Sequence, residues 1–165
     1  NGFIKKKIEK LNIIKLKKKE LVSDQVGQEA SIISKNIDLR KLVHKFQIKC
    51  AYKHPKSFNG SCLDGRDITY NIMPDADFKF FVTASLKTRA LRRYKELKSI
   101  HERTNFHEVL KSIKKRDKSD YNRKVAPLKK TKDSVLINTT KLSKSACFLK
   151  IKKIIDRKLN INGNL

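Results

Sequence analysis

Two short apolar runs, FKFFV at Phe78 to Val82 and Val135-Leu136-Ile137, stand between stretches patterned as helices. Nearly continuous apolar runs of this length suit strands of a parallel sheet covered by helices on both faces. Ser61-Cys62-Leu63 reads as a third such strand. The helices are marked by their caps. Ser23 or Asp24 can accept from the first-turn amides of a helix reaching about Lys35, and Asn36 can do so for Ile37 to Ala51. Ser85 precedes a helix from Leu86 to about Ile100. Asn105, with Glu108 three residues on as in a capping box, precedes one that reaches about Tyr121 and must stop before Pro127. Ser143 opens a last amphipathic helix to about Lys158, and Pro55 to Gly60 is a loop. Residues 3 to 19 stay open. Ile4, Ile8, Leu11 and Ile14 would make a helical stripe, yet FIKKKIEK and NIIKLK would serve as two strands turning at Leu11-Asn12. The pattern as a whole is α/β.

At 165 residues, with 38% hydrophobic content and eight Phe, the chain is one domain's worth and can fill a core. A net charge of +25 raises the question of nucleic acid, since basic proteins gain affinity by releasing counterions from phosphate backbones. The lysines are spread over the whole length, however, as at Lys5 to Lys7, Lys17 to Lys19, Lys129 to Lys132 and Lys150 to Lys153, with no arginine-rich tail or aromatic-interleaved patch. A solvated lysine surface explains that spread better than specific nucleic-acid binding. Cys50, Cys62 and Cys147 are odd in number and far apart, as expected of free thiols in a reducing, cytoplasmic setting. Cys50, His54 and Cys62 lack the second close pair that a zinc site needs. No run of about 18 apolar residues occurs and no signal-peptide pattern opens the chain. It begins at Asn1, which suggests a piece of a longer reading frame.

Where lysine is the ordinary cation, arginine is the informative one. Nine of the 41 basic residues are arginine, and each carries a planar fork that grips phosphate or carboxylate through two parallel bonds. In LDGRD, at Leu63 to Asp67, Arg66 and Asp67 follow Gly65 just past an apolar run. The carboxyl edge of an open α/β sheet is where ligands bind, although a plain turn with a surface ion pair has the same signature. In KRDKSDYNR, at Lys115 to Arg123, Arg116, Asp120 and Arg123 share one helix face by their spacing. Two forks flanking a carboxylate can hold a phosphate and sugar hydroxyls, or merely form an i,i+4 pair. Arg89, Arg92 and Arg93 make a third group on the helix after Ser85, suited to charge on a transferring phosphoryl group or to a wet basic face. Arg40 stands alone. The polar stretch Ile100 to Thr104 between those helices could hinge.

Other signals are weaker. Gly60 to Arg66 mimics G-x-x-x-x-G-K-[ST], but Arg66 replaces the lysine and Asp67 the hydroxyl residue, and no genuine copy occurs in the chain. His44, His54, His101 and His107 have no paired Ser or Cys at a telling spacing. Asp75 and Asp77, in PDAD, belong to a turn.

With these residues in place, the chain resembles the cytidylate kinase family of P-loop nucleoside monophosphate kinases. The resemblance runs from about Ser23 to the end of the last helix. It is carried by VGQEAS at Val26, Leu39-Arg40, LDGRDI at Leu63, MPDADFKFFVTAS at Met73, TRALRRYKEL at Thr88, NFHEVLKSIKKRDKSDYNRKVAPL at Asn105 and SVLINTTKLS at Ser134. It implies CMP and dCMP as phosphoryl acceptors, ATP as donor and Mg2+ as cofactor, in a monomer. By the same resemblance Ser31, Arg40 and Asp67 would read the base, Arg66 and Arg123 would hold the acceptor phosphate, and Arg116 and Asp120 the sugar. Arg92, with Arg89 and Arg93, would lie on the ATP-side lid, and Arg66, Arg92 and Arg123 would be the catalytic set. No strong base is required in such an enzyme, since alignment and charge neutralisation carry the reaction. The family's first strand and phosphate-binding glycine loop are expected upstream of Asn1, together with most of the ATP and Mg2+ site. Residues 1–165 are then one incomplete kinase domain, with a parallel sheet flanked by helices but without that strand and loop. Residues 1–55 would be the acceptor-binding insert and helices, favouring strands in the open N-terminal stretch, and 56–165 the rest of the core with a lid at about 86–123. Thr69-Tyr70-Asn71 departs from the small residues usual at that place. Such a piece should be inactive alone. The rivals are a basic, ribosome-associated RNA-binding protein and a kinase-like domain without activity.

Overall fold

The structure is a computed structural model that describes residues 6–8, 10, 24–33, 36–53, 57–99 and 103–162. The chain divides into two compact units, Asn1–Asp64 and Gly65–Leu165.

The first unit is helical where it is described. Residues 6–8 form a helical turn, with the Lys10 amide donating to the Lys6 carbonyl at 3.2 Å. The strands favoured there by the resemblance are therefore not seen at these residues, because the bonds close locally along the chain. Helix α1 spans Asp24–Ile33 and helix α2 spans Ile37–Tyr52. Asn36 caps α2 as its sequence requires, its Oδ1 accepting from the Leu39 amide at 3.0 Å. Ser61-Cys62-Leu63 is not a strand. Ser61 Oγ donates to the Ala51 carbonyl at 2.6 Å, closing the end of α2, and Ser61 and Cys62 are exposed. Three residues with one half-buried Leu63 bury too little to hold a ladder.

The second unit is α/β. After a single π-helical turn at Ile68–Ile72 come β1 (Phe80–Thr83), α3 (Leu86–Lys98), α4 (Phe106–Asn122), β2 (Val135–Asn138) and α5 (Lys144–Asn162). The two strands are parallel, Phe80 opposite Val135 and Thr83 opposite Asn138. The β1–α3–α4–β2 path is the helical crossover that parallel pairing demands. Each helix begins where its cap predicts: Ser85 Oγ accepts from the Thr88 amide at 3.2 Å, Asn105 Oδ1 from His107 at 2.8 Å and Glu108 at 3.4 Å, and Ser143 Oγ from Ala146 at 3.1 Å. Ala90 and Leu97 on α3 and Val109 on α4 are buried, and Tyr94 meets Phe106 edge-on at 5.8 Å.

Among the described residues Ile72 and Ile137 are the largest fully buried side chains. The expected cover on both sheet faces is incomplete among the described residues, since Val82 is 56% and Leu136 53% exposed. At the amino end of the strands the Lys79 ammonium reaches Asp133 across the pair, and the Val135 amide donates to the Lys79 carbonyl at 2.9 Å. Hydrogen bonds from Lys79 and then Thr131 hold the Asp133 carboxyl at about 2, below the usual carboxylate range. Among the described residues no helix is long and apolar enough to cross a membrane. Because Ile137 is fully enclosed and Leu136 is not, Ile137→Ala should cost about 2–5 kcal/mol, several times the loss from Leu136→Ala. Urea unfolding of both variants checks this, and equal losses would contradict the placement of the core.

Candidate active site

The candidate site in the second unit is built on one carboxylate. The Arg66 side chain comes from the segment between Gly65 and the π-helical turn, not from the end of a strand as its sequence setting suggested. Its Nε donates to Asp120 Oδ2 at 3.0 Å. Arg123, the residue that ends α4, places Nη1 3.6 Å from Asp120 Oδ1. Asp120 lies three residues before it in the last turn of α4, and its side chain is only 16% exposed. A carboxylate so enclosed needs partners, and it takes two guanidinium groups, Arg66 from a distant segment and Arg123 from three residues on.

The local backbone fixes this meeting. Helix α4 has already ended at Arg123, as the approach to Pro127 requires. The Leu128 amide returns to donate to the Asp120 carbonyl at 2.7 Å, and Arg123 Nε donates to the Ala126 carbonyl. Ala126 has a φ of 52°, in the left-handed region that side chains disfavour. On the other side Gly65 leaves room for Ile68. A Cβ at residue 65 would stand 2.9 Å from Ile68 Cγ1, so a larger residue would push the Ile68 side chain aside; glycine serves close approach here and not a positive φ. Asp67 accepts from Asn71 Nδ2 at 2.8 Å through its carboxylate, while its carbonyl accepts from the Asn71 amide at 2.9 Å.

Of the sequence-read residues, Arg66, Asp120 and Arg123 converge. Arg116 lies one turn before Asp120 on α4, exposed and without an ion pair among the described residues. The simple i,i+4 pair of Arg116 with Asp120 does not form, because Arg66 and Arg123 take the carboxylate. The arginines of α3 do not act as one cluster. Arg89 makes a two-pronged pair with Asp117 on α4, at 2.8 and 2.6 Å. That hydrogen bonding raises the Arg89 guanidinium further above its ordinary pKa. Arg92 donates to Thr139 Oγ1 at 3.1 Å and to the carbonyls of Thr139 at 2.6 Å and Leu142 at 3.0 Å. Arg93 pairs with Glu96 at 2.9 Å. Ser31 and Arg40 belong to the first unit, on α1 and α2. Part of the Ile100 to Thr104 joint lies outside the described residues, as does His54 of the imagined zinc corner. Among the described residues no group of three or more His, Cys, Asp or Glu could hold a metal, and Cys50, Cys62 and Cys147 are free thiols.

Two partners were missed in the sequence. Asp117 stands beside Arg116 but off the 116/120/123 face, so only the packing of α4 against α3 could show that it meets Arg89. Thr139 anchors Arg92 and accepts no periodic signature of its own. It is buried and closes the carboxyl end of the strands, its amide donating to the Thr83 carbonyl at 2.7 Å.

Chemically, the trio carries a net positive charge, and Arg116 adds another nearby on the same helix. Nη1 and Nη2 of Arg66 have no hydrogen-bond partner among the described residues, so that fork retains donors for an anion.

Two parallel strands joined by a helix–helix crossover, with an arginine–aspartate trio at the end of α4, make the second unit an α/β fold of the P-loop kinase type. The cytidylate kinase family model matches residues 7–157, and the chain belongs to that family. It is 39% identical over 139 residues to the cytidylate kinase of Mesomycoplasma hyopneumoniae strain 7448, covering 84% of this chain and 59% of that one. It is 41% identical over 128 residues to that of Bartonella tribocorum, covering 78% and 58%, and 39% identical over 142 residues to that of Thermosipho melanesiensis, covering 86% and 63%. The chain thus spans about three fifths of the length of these curated relatives.

Only a third of the Arg89 and Asp117 side chains is exposed, and two prongs join them. A double-mutant cycle with Arg89→Ala and Asp117→Ala should give a coupling of about 0.5–1.5 kcal/mol. Urea titrations that show no coupling would mean the pair does not hold α3 to α4.

Proposed function

We propose that this chain is part of an enzyme that transfers the γ-phosphoryl group of ATP to CMP or dCMP. A phosphate oxygen of the acceptor attacks the γ-phosphorus, the bond to the β-bridging oxygen breaks, and CDP or dCDP and ADP leave. The observation that carries this reading is the meeting of Arg66 and Arg123 at Asp120 in a chain of the cytidylate kinase family.

In this reading Arg66 and Arg123 hold the acceptor phosphate and offset the charge that gathers during transfer. Asp120 sets the angle between them and, with Arg116, binds the sugar. Ser31, Arg40 and Asp67 read the cytosine, with Asp67 stiffened by Asn71. Three of the five N–H donors of Arg92 go to Thr139 and Leu142, so a role on the ATP-side lid would draw on Nε and the second Nη1 hydrogen or on a rearrangement. Mg2+ is proposed to arrive with the nucleotide phosphates, as that ion commonly does. The described residues provide no cluster to hold it, and no step is derived through it.

Two outcomes are expected in a coupled assay of ADP release with CMP, ATP and Mg2+. In the full-length protein, Arg66→Lys should lower kcat/KM by about 10²–10³, the usual cost of losing one donor aimed at transition-state charge. An unchanged kcat/KM would remove Arg66 from the site. The 165-residue chain, which contains no G-x-x-x-x-G-K-[ST], should give little or no turnover by itself. A rate clearly above background, free of host kinase, would contradict that expectation. If RNA bound with steep salt dependence and CMP failed to compete, the basic RNA-binding reading would replace the kinase.

A further inference from the structure

Tyr70 touches neither Arg66 nor Arg123 through any bond described above, yet it joins the two segments that carry them. Its hydroxyl donates to the carbonyl of Pro127, and the Lys129 ammonium sits 5.8 Å from its ring centroid. It therefore ties the π-helical turn after Arg66 to the loop after Arg123. That loop holds Ala126 at a φ of 52°, immediately before a proline, a conformation costly for a residue with a side chain. The Ala126 carbonyl is the acceptor of Arg123 Nε.

We infer that Tyr70 is a positioning residue, a latch that keeps the 124–128 loop in its strained shape and so aims Arg123 at the acceptor phosphate. The inference rests on the kinase reading given above. The physical logic is that the loop has little intrinsic preference for its shape. Bonds that hold it run from the Leu128 amide to the Asp120 carbonyl, from Arg123 to the Ala126 carbonyl, and from Tyr70 to the Pro127 carbonyl. The first two belong to the end of α4, and the third reaches the Arg66 segment.

The test uses the full-length protein and measures KM for CMP, KM for ATP and kcat separately. Tyr70→Phe keeps the ring and removes the hydroxyl. It should raise KM for CMP by roughly three- to tenfold, the span of one net hydrogen bond, and leave KM for ATP within about twofold. Mere loss of folded enzyme would lower apparent kcat and leave KM for CMP where it was. Tyr70→Phe combined with Ala126→Gly should recover part of the loss, since glycine adopts the left-handed shape without a latch. A Tyr70→Phe KM for CMP within about twofold of the parent, alongside a large rise in Arg123→Ala, would overturn the latch and leave the site reading standing. If Arg123→Ala also left KM for CMP unchanged, the site reading itself would fall and the latch with it. A fall in kcat with no change in KM for CMP would likewise overturn positioning in favour of a purely structural role.

Discussion

The Asp120 carboxylate is the point on which the second unit's site depends. It is largely enclosed, and a charge in that position is tolerable only when opposed. Arg66 and Arg123 oppose it, and in doing so they lose their freedom to point elsewhere. One acidic side chain thereby converts two long, rotamer-rich cations into a fixed pair with a net positive charge. In the proposed reading, that fixed positive pair is what would receive a phosphate without a large reorganisation at the moment of reaction.

The surrounding frame keeps that pair at the right height. Helix α4 presents Asp120 and Arg123 at its last turn, and α4 is held against α3 by apolar packing around Ala90, Leu97 and Val109 and by the Arg89–Asp117 pair. Arg92 ties α3 to the residues that follow β2, and the Ser85 amide donates to Thr140 Oγ1 at 2.9 Å. The two strand ends and the two helices thus form one connected set of bonds. The arginines of α3, read in the sequence as a single lid group, go to different partners: Arg89 to Asp117, Arg92 to Thr139 and Leu142, and Arg93 to Glu96.

Much of the fold was legible because its signals are local. Asn36, Ser85, Asn105 and Ser143 are caps whose side chains bond amides two or three residues away, so chain order alone reveals them. The runs at 80–83 and 135–138 are long enough to pair with each other in parallel, and Ile137 is fully buried there. The run at 61–63 had the same composition in miniature but no length, and Ser61 went to the end of α2 instead. The residues around 6–8 could satisfy either periodicity, and the helical turn was chosen through local bonds that the pattern did not rank.

Sequence by itself determined which residues could matter: caps bond their near neighbours, and arginines scarce among lysines mark places that need a planar fork. It also fixed the family, through motifs whose order and spacing survive in a linear string. Tertiary structure alone decided who meets whom. Asp120 went to Arg66 rather than to Arg116, Asp117 to Arg89, Thr139 to Arg92 and Tyr70 to Pro127. These are contacts between segments far apart along the chain, and their formation depends on how helices pack and loops return, which no local pattern encodes.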